Sequence, residues 1–168
     1  TVTALTPNGA ESLDYNALVL APGAAAVRPP LPGIDSPRVR TLRTVADAVD
    51  LRTRVDDGAR RAVVLGAGYI GIEAAEALRH RGLEVDVVEL APHVLPRIER
   101  ELAQVAADEL ERLGIRVHTG VAAAAISDGA DGATVTLADG RAITADIVVL
   151  SVGVRPDTAV VPEAGIAT

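Results

Sequence analysis

Cysteine is absent from the 168 residues, as are methionine, tryptophan and phenylalanine. Without cysteine there is no disulfide, no thiolate metal ligand and no thiol nucleophile in this stretch. Two tyrosines are the only aromatics, so no platform exists on which the bases of a single-stranded nucleic acid could stack. A basic excess is also missing. The formal charge is −7 and acids are interleaved with the arginines, which leaves no cationic face for a duplex. No apolar run approaches the length of about eighteen residues that a membrane helix needs, and Thr1-Val2-Thr3 has neither the basic nor the apolar region of a secretory leader. These lacks predict a cytoplasmic protein that binds neither nucleic acid nor membrane. The absent initiator methionine predicts a piece of a longer polypeptide.

What remains is an aliphatic chain punctuated by glycine. Apolar residues make up 49% of it, nearly all Ala, Val, Leu and Ile, enough for one good core and too few for two full-sized domains. Alternation at Val2, Ala4 and Leu5, the turn residues Pro7-Asn8-Gly9 and the segment Glu11 to Leu13 predict a hairpin. The apolar run Ala17-Leu18-Val19-Leu20 predicts a buried strand. Prolines at 22, 29, 30, 32 and 37 predict a linker and a domain boundary. Thr44, an N-cap with Asp47 at the third helical position, opens a helix expected over Val45–Asp56 and ended by Gly58.

Arg61 to Leu65 is apolar without alternation, as in a strand covered on both faces of a parallel sheet. Helices are expected over Tyr69–His80 and Glu99–Leu113, the second with Leu102, Val105, Ala106, Leu110 and Leu113 on its inner face. Strands are expected over Leu83–Leu90 and Ile115–Val121. Right-handed crossovers turn this alternation into a parallel sheet. Thr134–Leu137 and Arg141–Thr144 flank Asp139-Gly140, which predicts a hairpin with both turn residues at positive φ. Ile147 to Leu150 reads as a last buried strand.

Between the strand at Arg61–Leu65 and the following helix stands Gly66-Ala67-Gly68-Tyr69-Ile70-Gly71. Among fifteen glycines a lone G-x-G-x-x-G is a weak signal, but its context is specific. It follows a buried strand, it opens a helix, and the acidic Glu89 ends the next strand about twenty residues on, as a dinucleotide fingerprint requires. Gly66 permits the tight turn, Gly68 lets the backbone approach a diphosphate, and Gly71 lets helix and strand pack closely. The N–H groups around Tyr69 and Ile70 would face the anion at the helix N-terminus. A carboxylate at Glu89 accepts from ribose hydroxyls and repels a 2′-phosphate, which favours NADH over NADPH. Arg97 complicates this, since its guanidinium could reach a phosphate; its other reading is a solvated loop charge. Glu73, one turn beyond Tyr69, could face a nicotinamide or solvent, while Glu76 reads as exposed helix face. The glycines alone leave other uses open: turn and packing only, another adenine nucleotide, or S-adenosylmethionine. His80, His93 and His118 lack metal-site spacing, and no serine has a histidine at catalytic spacing.

Four blocks carry a wider resemblance: LDYNALVLAPGA from Leu13 to Ala24, with Pro30-Leu31-Pro32-Gly33 after it; GAGYIGIEAAE from Gly66 to Glu76; VEL at Val88 to Leu90 with HVLPR at His93 to Arg97; and LADGRAITADIVVLSVGVRPDTAV from Leu137 to Val160. In this order the chain resembles the flavin-dependent pyridine nucleotide-disulfide oxidoreductases. The branch of coenzyme A-disulfide reductases and NADH oxidases or peroxidases is the most similar, with ferredoxin, rubredoxin and nitrite reductase flavoproteins as neighbours. The resemblance implies an α/β, Rossmann-like three-layer FAD/NAD(P)-binding fold with a central parallel sheet, helices on one face and a small antiparallel sheet on the other. It implies a remnant of the FAD-binding domain and a linker over 1–35, an NAD-binding domain over 36–156 and the start of a return to the FAD domain over 157–168.

By the same resemblance Tyr69 would cover the nicotinamide pocket, Glu73 would lie near the nicotinamide, Val152-Gly153 would contact it through backbone, and Val121 and Ala122 would border the adenine. The expected cofactor-binding set is therefore Gly66, Ala67, Gly68, Tyr69, Ile70, Gly71, Glu73, Glu89, Val121, Val152 and Gly153. The FAD fingerprint, the redox cysteine and the dimerisation segment of the family are missing, so no catalytic residue and no metal are expected here. The chain would bind NADH without turnover, as the part of a flavoprotein that delivers hydride to FAD and onward to a disulfide, oxygen, peroxide or a redox protein. The rival readings are a stand-alone nucleotide-sensing module and another Rossmann enzyme such as a methyltransferase, which the VGVRP block opposes.

Overall fold

The computed structural model describes residues 1–159, 161 and 165. The chain divides into two compact units, Thr1–Ala24 with Pro156–Thr168, and Ala25–Arg155. In the first, β1 (Val2–Thr6) and β2 (Gly9–Leu13) form the expected antiparallel hairpin, with Thr6 opposite Gly9. The buried strand expected over Ala17–Leu20 does not form. Leu18 and Leu20 are exposed and Val19 is 88% exposed, because no neighbouring strand among the described residues takes up the backbone groups of this run. Residues 160, 162–164 and 166–168 of the expected return segment lie outside the described residues.

Along the rest of the chain follow β3 (Ala24–Ala26), β4 (Val39–Thr41), α1 (Val45–Asp56), β5 (Arg61–Leu65), α2 (Tyr69–His80), β6 (Glu84–Val88), α3 (Arg100–Arg112), β7 (Arg116–His118), β8 (Ala123–Gly129), β9 (Gly132–Leu137), β10 (Ala142–Ala145), β11 (Ile147–Leu150) and β12 (Val154–Pro156). A five-stranded parallel sheet runs in the order β4-β11-β5-β6-β7 and a three-stranded antiparallel sheet in the order β10-β9-β8, while β3 pairs with β12.

The central strands are apolar along most of their length, Asp86 in β6 apart, because each of their faces meets a different core. Ala62, Val64, Val85, Val87, Ile147 and Val149 pack with Leu51 and Val55 of α1, Ala74, Ala75 and Leu78 of α2, and Ala103 and Leu110 of α3. The alternate residues Val63, Leu65, Val88, Val148 and Leu150 pack with Ile126, Ala133, Val135 and Leu137 of the antiparallel sheet. The expected three layers are therefore present, with helices on one face and the small sheet on the other.

α1 begins as expected. Thr44 accepts the Asp47 N–H, and the Asp47 carboxylate accepts the N–H of Thr44 and of Arg43. Those backbone bonds hold the Asp47 carboxyl below the usual range. Thr44→Ala is expected to lose about 1 kcal/mol of stability, measurable by urea denaturation as a lower midpoint at unchanged slope.

Several boundaries differ from the expectation. Of the expected inner face of α3, Ala106, Leu110 and Leu113 pack against the core together with Ala103 and Ala107, whereas Leu102 and Val105 are exposed. Small alanines let this helix lie close to the strands, and a stripe of alanines is weaker in sequence than one of leucine and valine. β6 is shorter than Leu83–Leu90, since the Leu83 N–H still bonds Leu78 O at the end of α2 and Glu89 already leaves the ladder. β7 stops at His118, because Gly120 at φ 69 turns the chain and donates to Ala91 O. In the β9–β10 hairpin only Gly140 has positive φ and Asp139 does not. The Gly140 N–H closes a turn onto Leu137 O, and Asp139 accepts from the Arg141 N–H and guanidinium. A four-residue connection of that kind needs one left-handed residue, not two. β4 and β8 were not expected: β4 is three residues long, and β8 opens in an alanine run with little strand preference.

Candidate functional site

A cavity of about 950 Å³ opens in the second unit at the carboxyl ends of β5, β6 and β11, where Leu65, Val88 and Leu150 end their strands. That is where open parallel sheets bind their ligands, and the volume lies within the range of small-molecule and cofactor sites.

The glycine loop forms one wall. Gly66, at φ 101, leaves β5 and donates to Val88 O at 2.8 Å. A Cβ on Gly66 would stand 2.4 Å from Ser151 O, and one on Gly71 would stand 2.0 Å from Gly66 O. These two glycines are demanded by the fold. Gly68 is different. Its backbone is ordinary, φ −75 and ψ −177, and a Cβ placed on it meets nothing within 4 Å. Nothing in the protein needs glycine there, yet the residue lines the cavity. The space a methyl group would fill is open and lies on the cavity wall. The first bond of α2 runs from the Ile72 N–H to Gly68 O, so the N–H groups of Tyr69, Ile70 and Gly71 have no acceptor within the helix. They stand at its positive end, and no acidic residue occupies the first turn.

Glu89 forms the adjoining wall. Its Oε2 accepts the Ala67 N–H at 2.7 Å and its Oε1 the Ala91 N–H at 2.8 Å. The carboxylate thereby ties the glycine loop to the loop after β6, and each oxygen keeps a further lone pair. The Ala67 carbonyl accepts from Leu95 N–H at 2.8 Å, so Ala67 is held on both sides. Val121, bonded through its N–H to Glu89 O, lies beside it with Ala122. The Val152-Gly153 turn closes the opposite end, and Gly153 O accepts the Val27 N–H.

Of the residues expected from sequence, Gly66, Gly68, Tyr69, Glu89, Val121, Val152 and Gly153 line this cavity together. Ala67, Gly71, Ile70 and Glu73 do not. Ala67 and Gly71 are buried within the loop, and Ile70 and Glu73 are exposed on α2. Glu76 is half-buried. Sequence reading missed Val27, Pro29, Pro30 and Leu31 of the proline-rich segment, along with Leu90, Leu95, Pro96, Ile98 and Ser151. The Pro-Pro and Leu-Pro pairs read as a linker, and the Val27 bond to Gly153, the Pro32 carbonyl accepting the Ile126 N–H and the packing of Leu31 bring that segment to the cavity wall. Among the described residues no group of three or more His, Cys, Asp or Glu could hold a metal ion, and no helix is long and apolar enough to cross a membrane.

Comparison with known proteins agrees with this geometry. The family model described as pyridine nucleotide-disulphide oxidoreductase matches residues 1–168. An NADH oxidase of Methanocaldococcus jannaschii is 36% identical over 155 residues, covering 91% of this chain and 34% of the oxidase. A rubredoxin-NAD(+) reductase of Alcanivorax borkumensis is 36% identical over 160 residues, 94% of this chain and 42% of the reductase. The crystal structure of the ferredoxin reductase for the CYP199A2 system from Rhodopseudomonas palustris superposes with a TM-score of 0.90 at 40% identity, over 99% of this chain and 41% of that one. The chain thus spans between about a third and two fifths of the length of these relatives.

Proposed function

This chain belongs to the pyridine nucleotide-disulphide oxidoreductases, and from that membership we propose that it is the NADH-binding domain of a flavoprotein oxidoreductase. The observation that carries the reading is Gly68: an unstrained glycine with open space at its Cβ, on the cavity wall beside the unbonded N–H groups of a helix end. Gly68 and the α2 N-terminus would hold the diphosphate, and Glu89 the adenosine ribose through its remaining lone pairs. Val121 and Ala122 would border the adenine, and Tyr69 with the Val152-Gly153 turn would frame the nicotinamide. Tyr69 is 63% exposed, so it can swing aside without unpacking a core.

When bound, NADH supplies a hydride for a flavin. This chain orients the nucleotide and holds its charged part. The relatives are longer and carry names that include an NADH oxidase and a rubredoxin reductase. We therefore assign 1–35 to a remnant of a flavin-binding domain with the proline-rich linker that reaches the cavity, 36–156 to the NADH domain, 157–168 to the start of a return to the flavin domain, and the onward acceptor to the class of disulfides, oxygen, peroxide or redox proteins.

The test is calorimetric titration of the complete natural polypeptide with NADH and NADPH, repeated with Glu89→Ala and Glu89→Gln. NADH should bind more tightly than NADPH. Glu89→Ala should weaken NADH by about tenfold to thirtyfold, as expected for losing bonds to a charged acceptor, and should narrow the preference over NADPH. Glu89→Gln keeps an acceptor for Ala67 or Ala91 and guards against a loop that has merely come loose. Equal binding of both nucleotides by all three proteins would remove Glu89 from the site.

A further inference from the structure

We propose that Arg97 is the side chain that neutralises the diphosphate of the bound dinucleotide, an inference that rests on the NADH reading above. The lining of the cavity holds two charged side chains, Glu89 and Arg97. Arg97 is exposed, and among the described residues it makes no ion pair or side-chain hydrogen bond. Many arginines elsewhere are engaged, among them Arg40 with Asp50, Arg61 with Asp146, Arg116 with Asp86 and Arg141 with Asp139; Arg100 and Arg155, like Arg97, make no ion pair among the described residues, but neither lines the cavity. The one cation on the cavity wall is thus left without an internal counter-ion.

Its position is built. Val94 is fully buried and anchors the segment. Leu95 then takes φ 48, the one positive φ outside glycine among the described residues, and its N–H donates to Ala67 O in the glycine loop. A leucine held in that region costs of order 1 kcal/mol or more and persists only where its surroundings impose it. The Ile98 N–H bonds Leu95 O at 2.9 Å, so residues 95–98 close a turn with Pro96 at the position proline favours and Arg97 at the next. The turn is bolted to the residue just before Gly68.

Charge balance gives the guanidinium its task. A dinucleotide diphosphate carries two negative charges, the α2 N-terminus offers about half a positive one, and Glu89 adds a negative one to the same wall. Without Arg97 the lining would repel the ligand it cradles. Arginine also suits the planar, forked geometry of phosphate oxygens. The carboxylate of Glu89 at the ribose opposes a 2′-phosphate, which directs Arg97 to the diphosphate shared by NADH and NADPH.

The experiment compares the wild-type complete polypeptide with Arg97→Gln and Arg97→Lys. Calorimetry measures NADH and NADPH at two salt concentrations, and a chemical-shift titration by NMR measures adenosine, which lacks phosphate. Arg97→Gln should weaken both dinucleotides by about tenfold to a hundredfold and flatten the salt dependence of NADH affinity. Adenosine binding and melting temperature should not change, and Arg97→Lys should recover part of the loss. Unchanged NADH affinity in Arg97→Gln overturns the assignment. So does a loss confined to NADPH, which marks a 2′-phosphate contact, and so does an equal loss of adenosine, which marks a structural role. A wild-type protein that binds neither dinucleotide instead overturns the NADH reading on which this one stands.

Discussion

Gly68→Ala should abolish most NADH binding while leaving the protein's stability intact, and Gly71→Ala, three residues away, should strongly destabilise it. The contrast follows from where a single methyl group goes. At Gly71 the Cβ would lie 2.0 Å from the Gly66 carbonyl oxygen. That is backbone against backbone, in a loop fixed to β6 by the Gly66 N–H and to Glu89 by the Ala67 N–H, so no side chain can yield. Overpacking of this kind costs about 3 kcal/mol or more, a fall in melting temperature of roughly 10 °C for a domain of this size. At Gly68 the backbone already has φ −75, alanine fits without strain, and the melting temperature should move by no more than about 2 °C. The methyl enters the cavity where the diphosphate would lie, and affinity should fall by more than about tenfold. Scanning calorimetry and NADH titration on the two variants separate the outcomes. Normal NADH affinity in Gly68→Ala would mean that the cradle is not a nucleotide site.

Those two glycines also mark how far the sequence could be read. The motif named both, and the strand before and helix after them fell where apolar patterning put them, at Arg61–Leu65 and Tyr69–His80. Long local signals of that kind survive into the fold because each central strand is buried on both faces and each helix is closed by a left-handed glycine, Gly58, Gly82 or Gly114. The signals failed where a partner decides the outcome. Ala17–Leu20 has the composition of a buried strand but no neighbour among the described residues. β8 has the opposite history: an alanine run becomes a strand because β9 lies on one side and the Pro32 carbonyl accepts the Ile126 N–H on the other. α3 shows the limit of periodicity: Ala106, Leu110 and Leu113 of the expected face pack, but at its edge Ala103 and Ala107 take the places expected of Leu102 and Val105. The lining of the cavity was legible at Gly66, Gly68, Tyr69, Glu89, Val121 and the Val152-Gly153 turn. It was not legible in the proline-rich segment, whose place on the cavity wall depends on a bond to Gly153 more than a hundred residues away in sequence.

Asp86 carries a second large expected effect, and it was invisible in the sequence. It sits at the middle of β6, 4% exposed, among strands that are otherwise apolar. Both of its oxygens accept from Arg116, at 2.9 and 2.7 Å, and Oδ1 also meets His118 Nε2 at 2.8 Å. Arg141 approaches His118 Nδ1 at 3.0 Å. A guanidinium can only donate, so Nδ1 accepts and the imidazole proton resides on Nε2, pointing at Asp86. Burial pushes the Asp86 carboxyl up, but the hydrogen bonds from Arg116 and His118 and the charge of Arg116 outweigh it and hold the group below the usual carboxylate range. Asp86→Asn places an amide where two donors converge. It should destabilise the protein by about 3 kcal/mol, roughly 6 to 12 °C in melting temperature. The pH dependence tests the cause. A carboxyl whose pKa is depressed by folding contributes its full stability above the unfolded value of about 3.9 and loses it as pH falls through the folded value. The gap between wild type and Asp86→Asn should therefore be constant from neutral pH down to about 5 and shrink below about 4. Asp146 is held low by Arg61 and by the N–H groups of Arg60 and Arg61, against a burial that raises it, and it loses its own share in both proteins over the same range. A gap that stays constant down to pH 2.5 would show that packing, not charge, is what Asp86 provides. The position matters to the site because β6 and β7 are the strands that end beside Glu89, whose N–H bonds His118 O. The ion network thus fixes the two strand ends beside the Glu89 wall of the cavity.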